Sequence, residues 1–178
     1  MKFHSGKPLT SAAVKSSIER VLADASQSAR KSQLAVISGI QTPDDKTVVI
    51  SLKSRSISLP YNLSYVWIYG PGTTNYKTAE DGTGPYTLGT WKRGSSLSLE
   101  RWSGYWGAKA KNKEVVYDYF TDASALSNAL LTNQVDVVTS IQSPDSLTQF
   151  EGNKSYTISN GHSTTTELLA FNDKVAPF

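Results

Sequence analysis

The sequence predicts a mixed fold, part α+β and part α/β, with a β-rich unit over residues 1–100 and an α/β unit over 101–178. Three observations carry this expectation. Period-two runs bounded by turn residues, around 34–52 and 86–101, read as antiparallel hairpins. Val14, Ile18, Val21 and Leu22 fall at i, i+4, i+7 and i+8, the apolar stripe of one helix. Beyond Trp102, strand-like, helical and strand-like segments follow one another, which is the order of a βαβ unit.

Taken in order, Lys2-Phe3-His4 reads as the end of a strand before a Ser5-Gly6-Lys7-Pro8 turn, and Thr10 or Ser11 can cap the helix that follows. Ser26-Gln27-Ser28 reads as a loop. Leu34 to Ile40 and Thr47 to Leu52 flank Pro43-Asp44-Asp45-Lys46, whose aspartates bond readily to their own backbone. Leu59 to Leu63 fits one helical turn, and Tyr65 to Tyr69 is strand-like. Tyr86 to Trp91 and Leu97 to Arg101 form the second hairpin around Lys92-Arg93-Gly94.

In the second unit Glu114 to Phe120 is expected as a strand and Asp122 as the cap of a helix carrying Ala125, Leu126, Ala129 and Leu130. Val135 to Val138 would then be the parallel partner strand. A short helix from Ser143 to Phe150 and strands at Tyr156–Ser159 and Thr164–Phe171 complete the reading. A parallel pair needs cover on both faces, and little chain remains to supply it. With strand-like segments at both ends, the chain is expected to be a piece of something larger.

Composition excludes several chemistries. The 178 residues contain no cysteine, so there is no disulfide framework, thiolate metal site or cysteine nucleophile. Two histidines, His4 and His162, make a histidine-rich metal centre improbable, and no metal or cofactor is expected. No run reaches the length of a membrane span. The net charge of +3 comes from dispersed lysines and arginines, which does not suit nucleic-acid binding.

No catalytic set emerges from the residues. His4 lies in a turn, where bonding to backbone is the expected role. Ser28-Ala29-Arg30-Lys31 matches S-x-x-K without its companion motifs. Asp44-Asp45 and Glu80-Asp81 are adjacent acids in turns and read as solvated rather than as a glycosidase pair. Gly82-Thr83-Gly84 lacks the Lys-Ser/Thr and helix of a phosphate loop. Binding is the better expectation: four tryptophans and nine tyrosines give contact area, and abundant hydroxyls give adaptable hydrogen bonds. Most of these rings would pack inside; a few could form a peptide or sugar surface, so a carbohydrate-binding module is the alternative.

Several motifs then combine. Lys2-Phe3-His4-Ser5-Gly6-Lys7-Pro8-Leu9-Thr10-Ser11-Ala12 resembles the V-K-F-H-x-G-x-P-[LF]-T-A segment of the family 5 extracellular solute-binding proteins, the peptide- and nickel-type binding components of bacterial ABC importers. The resemblance continues through Asp44-Asp45-Lys46-Thr47-Val48, Gly82-Thr83-Gly84-Pro85-Tyr86 and Leu99-Glu100-Arg101 with Tyr105-Trp106-Gly107. Further on it takes in Thr121-Asp122-Ala123, Ala129-Leu130, Val135-Asp136, and Leu169-Ala170-Phe171-Asn172 with Ala176-Pro177-Phe178. Ala13, where the family usually has Asp, and Trp102-Ser103-Gly104, in place of Asn-Pro-x, depart from the pattern.

The resemblance implies a fragment of a periplasmic-binding-protein-like fold of type II, cluster C. Residues 1–100 would be most of a β-rich second lobe, N-terminally truncated, and 101–178 part of the first α/β lobe; the opposing, ligand-closing lobe would be absent. It implies a binding protein, not an enzyme, that captures a peptide or other small solute between lobes and delivers it to ABC permease subunits. The ligand candidates are His162, Thr164, Thr165, Thr166 and Glu167, with Asn172 holding a turn. By itself the fragment would bind weakly, and a homodimer through its exposed edges is expected. The location implied is extracytoplasmic, periplasmic or anchored as a lipoprotein.

Overall fold

The computed structural model describes residues 1–73, 80–141 and 144–161. The chain divides into two compact units, Met1–Tyr119 and Phe120–Phe178. In the first unit the chain starts with a tight turn closed by a Lys2–Pro8 bridge, rather than the end of a strand. Gly6 occupies the left-handed region at φ +83°, which a side chain would resist.

Helix α1 (Ser11–Leu22) follows, with Thr10 at its cap position, but the Thr10 side chain makes no capping bond. The orphan donors at a helix start need partners, and the first hairpin supplies them. Ser11 donates its backbone N–H to the Asp45 carbonyl at 2.9 Å, and its hydroxyl donates to the Asp44 carbonyl. That hairpin consists of β1 (Ile37–Asp44) and β2 (Thr47–Leu52), antiparallel, joined through Asp45-Lys46 as the turn chemistry predicts. A four-residue helix, α2 (Lys31–Leu34), precedes β1 where a loop running into a strand was expected. It lets Leu34 point inward and become fully buried.

The core lies between these elements. Ile18 and Val21 of α1 meet Leu34, Ile37 and Ile40, and Leu59 and Val66 close the cluster. Leu59 begins α3 (Leu59–Leu63), the single helical turn expected there, with Pro60 in its first turn. Tyr65–Tyr69 is not a strand. Its backbone is bound to α1 instead: the Tyr69 N–H donates at 3.1 Å to the buried Ser17 hydroxyl, which itself donates to the Ala13 carbonyl.

The second sheet has three antiparallel strands in the order β3-β4-β5: Tyr86–Lys92, Ser96–Arg101 and Glu114–Asp118. The hairpin β3–β4 is the expected one. Strand β5 corrects the expected βαβ unit, because it pairs antiparallel with β4, Leu99 opposite Val115 and Leu97 opposite Tyr117. Nor is Val135–Val138 a strand.

The second unit holds α4 (Ala123–Leu131), capped as expected by Asp122, whose side chain accepts the Ala125 N–H at 2.7 Å. The chain leaves α4 through Asn133 at φ +57°. There the Gln134 and Val135 N–H groups fold back onto the Ala129 carbonyl, which turns the chain away from an extended path. A short 3-10 helix (Pro144–Gln149) takes the place of the helix expected from Ser143 to Phe150. Phe150 is buried against Tyr156, ring centroids 5.0 Å apart. Tyr156–Ser159 forms no strand, and the strand expected from Thr164 lies outside the described residues. No helix among the described residues is long and apolar enough to cross a membrane.

Candidate functional site

The motif residues of the first unit meet at one place. The Lys2–Pro8 turn is held by the segment 80–85, about eighty residues away in sequence but adjacent in space. Asp81 accepts the Ser5 N–H at 2.8 Å and the Ser5 hydroxyl at 2.7 Å. The His4 N–H donates to the Gly82 carbonyl at 2.8 Å. The His4 ring fills the middle of the junction, with its side chain 9% exposed. Nε2 lies 3.0 Å from the Gly84 carbonyl, which can only accept, so Nε2 donates. Nδ1 lies 2.9 Å from Glu80 Oε2, and the ring meets Trp102 edge-on at 4.8 Å.

Neighbouring groups extend the junction. Glu80 also accepts the Leu88 N–H at 2.8 Å, which anchors it to β3. Lys7 donates to the Pro71 carbonyl at 3.0 Å, and the Gly70 N–H donates to the Asp81 carbonyl at 2.9 Å. Gly70 is buried, and a Cβ there would sit 1.8 Å from Asp81 Oδ2, so only glycine lets Asp81 approach. Trp106 donates its indole N–H to the Thr83 carbonyl at 3.2 Å, and the Trp102 N–H donates to Pro85 at 2.9 Å.

This arrangement is a fastening rather than a reaction centre. Both nitrogens of His4 are engaged by structural partners, so neither is available to activate a hydroxyl. The expectation of a backbone-bonded His4 holds. The expectation of solvated acids at Glu80-Asp81 holds only in part: Glu80 stays exposed, but both carboxylates are hydrogen-bonded across the junction. No local pattern signals that role, because their partners are more than seventy residues away. Asp44, by contrast, stays exposed in its turn. The Lys46 N–H, 2.7 Å from its carboxylate, and the Thr47 side chain hold it below the ordinary aspartate value near 3.8.

The residues singled out for ligand, His162, Thr164, Thr165, Thr166 and Glu167, lie outside the described residues, as does Asn172. Among the described residues no group of three histidine, aspartate or glutamate side chains is placed to hold a metal.

A family model, bacterial extracellular solute-binding proteins family 5, middle, matches residues 1–178, the entire chain. The chain belongs to this family. The junction at Lys2–Pro8, Glu80–Pro85, Trp102 and Trp106 therefore lies within the matched stretch. Membership in a family of transport binding proteins answers the enzyme alternatives, and it does not favour the carbohydrate-module reading.

Relatives support the assignment. A Brucella ovis protein provisionally named as an ABC transporter peptide-binding protein is 26% identical over 98% of this chain and 35% of its own length. The glutathione-binding protein GsiB of Pectobacterium atrosepticum is 31% identical over 61% of this chain and 22% of its own length. Among solved structures, a nickel ABC transporter protein from Bacillus halodurans superposes with a TM-score of 0.74 at 30% identity, covering 85% of this chain and 31% of that one. The chain thus spans about a third of the length of the relatives it matches over most of its own.

Proposed function

We propose that these residues are the middle part of an extracytoplasmic binding protein that captures peptides for an ABC importer. Residues 1 to about 100 supply most of its second lobe and the remainder part of its first, with the β3-β4-β5 sheet at their boundary. The match of the family model to the whole chain carries this reading. Peptide is put forward on the printed names of the Brucella and Pectobacterium relatives, glutathione being itself a tripeptide, and a nickel chelate is the competing cargo, since a Staphylococcus aureus relative matched over 97% of this chain is named as nickel-binding. Main-chain hydrogen bonds give such a ligand affinity, and wet pockets tolerate its side chains. Closure of two lobes about a hinge would trap it for the permease.

His162, Thr164, Thr165, Thr166 and Glu167 are the proposed ligand-facing residues on this chain. Calorimetry on the complete binding protein with dipeptides, tripeptides and a nickel–histidine chelate tests the ligand class. Peptide binding that falls about tenfold or more in Glu167→Gln is expected, since hydrogen bonds to charged groups are the strong ones. Chelate binding with no peptide response overturns the reading. The isolated 178 residues should bind only weakly, and micromolar peptide affinity from them would contradict the lobe assignment. Association of the isolated chain through the open edges of β3 and β5 is also proposed, and a monomer by light scattering at high concentration counts against it.

A further inference from the structure

The α2–α3 region of the first unit combines exposed apolar side chains with an excess of positive charge. Ile57 is 85% exposed, Trp67 73% and Tyr61 64%, with Tyr65 beside them. These residues lie on and around α3. The rings of Tyr61 and Tyr65 meet edge-on at 5.2 Å, and their hydroxyls are hydrogen-bonded at 2.7 Å. Arg30 stacks on Tyr65 at 3.9 Å and donates to Gln33, while Asn62 reaches the Gln33 carbonyl and so ties α3 to α2. Lys53, at the base of the hairpin, donates to the Ala35 carbonyl at 2.9 Å.

The charge is one-sided. Residues 25–43 and 47–79 contain no aspartate or glutamate and carry Arg30, Lys31, Lys53 and Arg55, against one adjacent acid, Asp24, whose carbonyl accepts from Lys31 at 3.0 Å. Arg55 is exposed, and none of these four cations has a carboxylate partner among the described residues.

We propose that this α2–α3 end docks on an anionic lipid bilayer. Tryptophan and tyrosine belong at the boundary between headgroups and acyl chains, where an apolar ring and a polar tip are both satisfied. Lysine and arginine reach the headgroup phosphates while their stems lie along apolar surface. The apolar groups are exposed, Ile57 and Trp67 most of all, and a deformable bilayer accepts them without a preformed pocket. Such docking would hold a carrier near the membrane in which its permease sits. That benefit rests on the proposed function, but the binding itself does not.

Co-flotation of the complete binding protein with phosphatidylglycerol vesicles and with phosphatidylcholine vesicles tests it, at low and high salt. Retention on phosphatidylglycerol that salt removes is expected. The Lys31→Glu/Arg55→Glu pair should reduce the partition on the order of tenfold or more, at about fivefold per cation. Trp67→Ser should abolish most of the blue shift in tryptophan emission on binding. The charge-matched variant Lys92→Glu/Arg93→Glu, at the tip of the β3–β4 hairpin, should bind like the parent. Equal retention on both lipids, or a larger loss in the hairpin-tip variant, overturns the proposal. Binding to immobilised poly-glutamate but to neither vesicle would assign the surface to an acidic protein instead. Peptide calorimetry is independent of all these outcomes, so a failure here leaves the ligand reading standing.

Discussion

The first unit contains two antiparallel sheets built from similar sequence signals, yet only one of them has a core. The β1–β2 hairpin lies under α1, and Ile37 and Ile40 are buried there. The β3-β4-β5 sheet has an equally regular apolar face. Leu88, Leu99 and Val115 make one row across it, and Trp91, Leu97 and Tyr117 another. None of those six is buried, and Trp91 and Tyr117 are 42% and 48% exposed. Alternation makes a strand amphipathic, but burial requires a second layer. For β1–β2 that layer is α1, earlier in the sequence; for β3-β4-β5 no described residue provides it.

Two leucines turn this contrast into a measurement. Leu34 is fully buried in the core, so Leu34→Ala should cost about 2–5 kcal/mol in urea unfolding. Leu99 sits at the centre of the second sheet, half-buried between Leu88 and Val115. Leu99→Ala removes only cross-strand contacts and should cost less than about 1 kcal/mol. Equal losses would mean that the second sheet is covered after all.

The junction is the next largest effect, since it fastens the turn before α1 to the segment that leads into β3. Gly70→Ala places a methyl group where Asp81 now lies, so the carboxylate must withdraw from Ser5. Loss of those two bonds should cost about 2 kcal/mol, with hydrogen bonds to charged groups worth roughly 1.5–3 kcal/mol and this site partly exposed. Asp81→Ala should cost as much, and the double variant no more than either alone, because both remove the same contact. Additive losses would show that Gly70 matters for another reason.

What the sequence makes legible follows the same division. Local signals were sufficient where the partner is close in sequence: the stripe of α1, the Asp45-Lys46 turn, the one-turn α3 and the Asp122 cap all take the expected form. They were insufficient wherever the partner is remote. Tyr65–Tyr69 has the composition of a strand, but its amide is claimed by Ser17. Glu114–Asp118 is a strand, and nothing in its own residues says that it joins β4 rather than opening a βαβ unit. Glu80 and Asp81 look like solvated turn acids until the Lys2–Pro8 turn arrives beside them. The candidate ligand residues rest on family resemblance alone, since one histidine, three threonines and one glutamate close together in sequence carry no chemical signature of a site.

A smaller effect should come from the contact that joins α1 to its hairpin. Ser11 is buried, and it spends its hydroxyl on the Asp44 carbonyl while its N–H bonds Asp45. Ser11→Ala keeps the N–H bond and leaves one carbonyl less satisfied, which should cost about 1 kcal/mol. A loss as large as that of Leu34→Ala would shift the source of stability in this layer from packing to the cap.

The least effect is expected from Asp44 itself, and it is distinguished by pH rather than by size. The Lys46 N–H and the Thr47 side chain favour its carboxylate, so its folded value lies below the ordinary one near 3.8. A group lowered by folding stabilises the fold above its unfolded value, and that contribution disappears as pH falls through the folded value. Asp44→Asn keeps an acceptor for the Lys46 N–H but not the charge. The gap in unfolding midpoint between parent and variant should therefore be present at neutral pH and close in acid, below the folded value. The Asp44 carboxyl carbon, followed by NMR, should titrate below the usual aspartate range. A gap that is the same at every pH would trace the difference to the shape of the turn rather than to its charge.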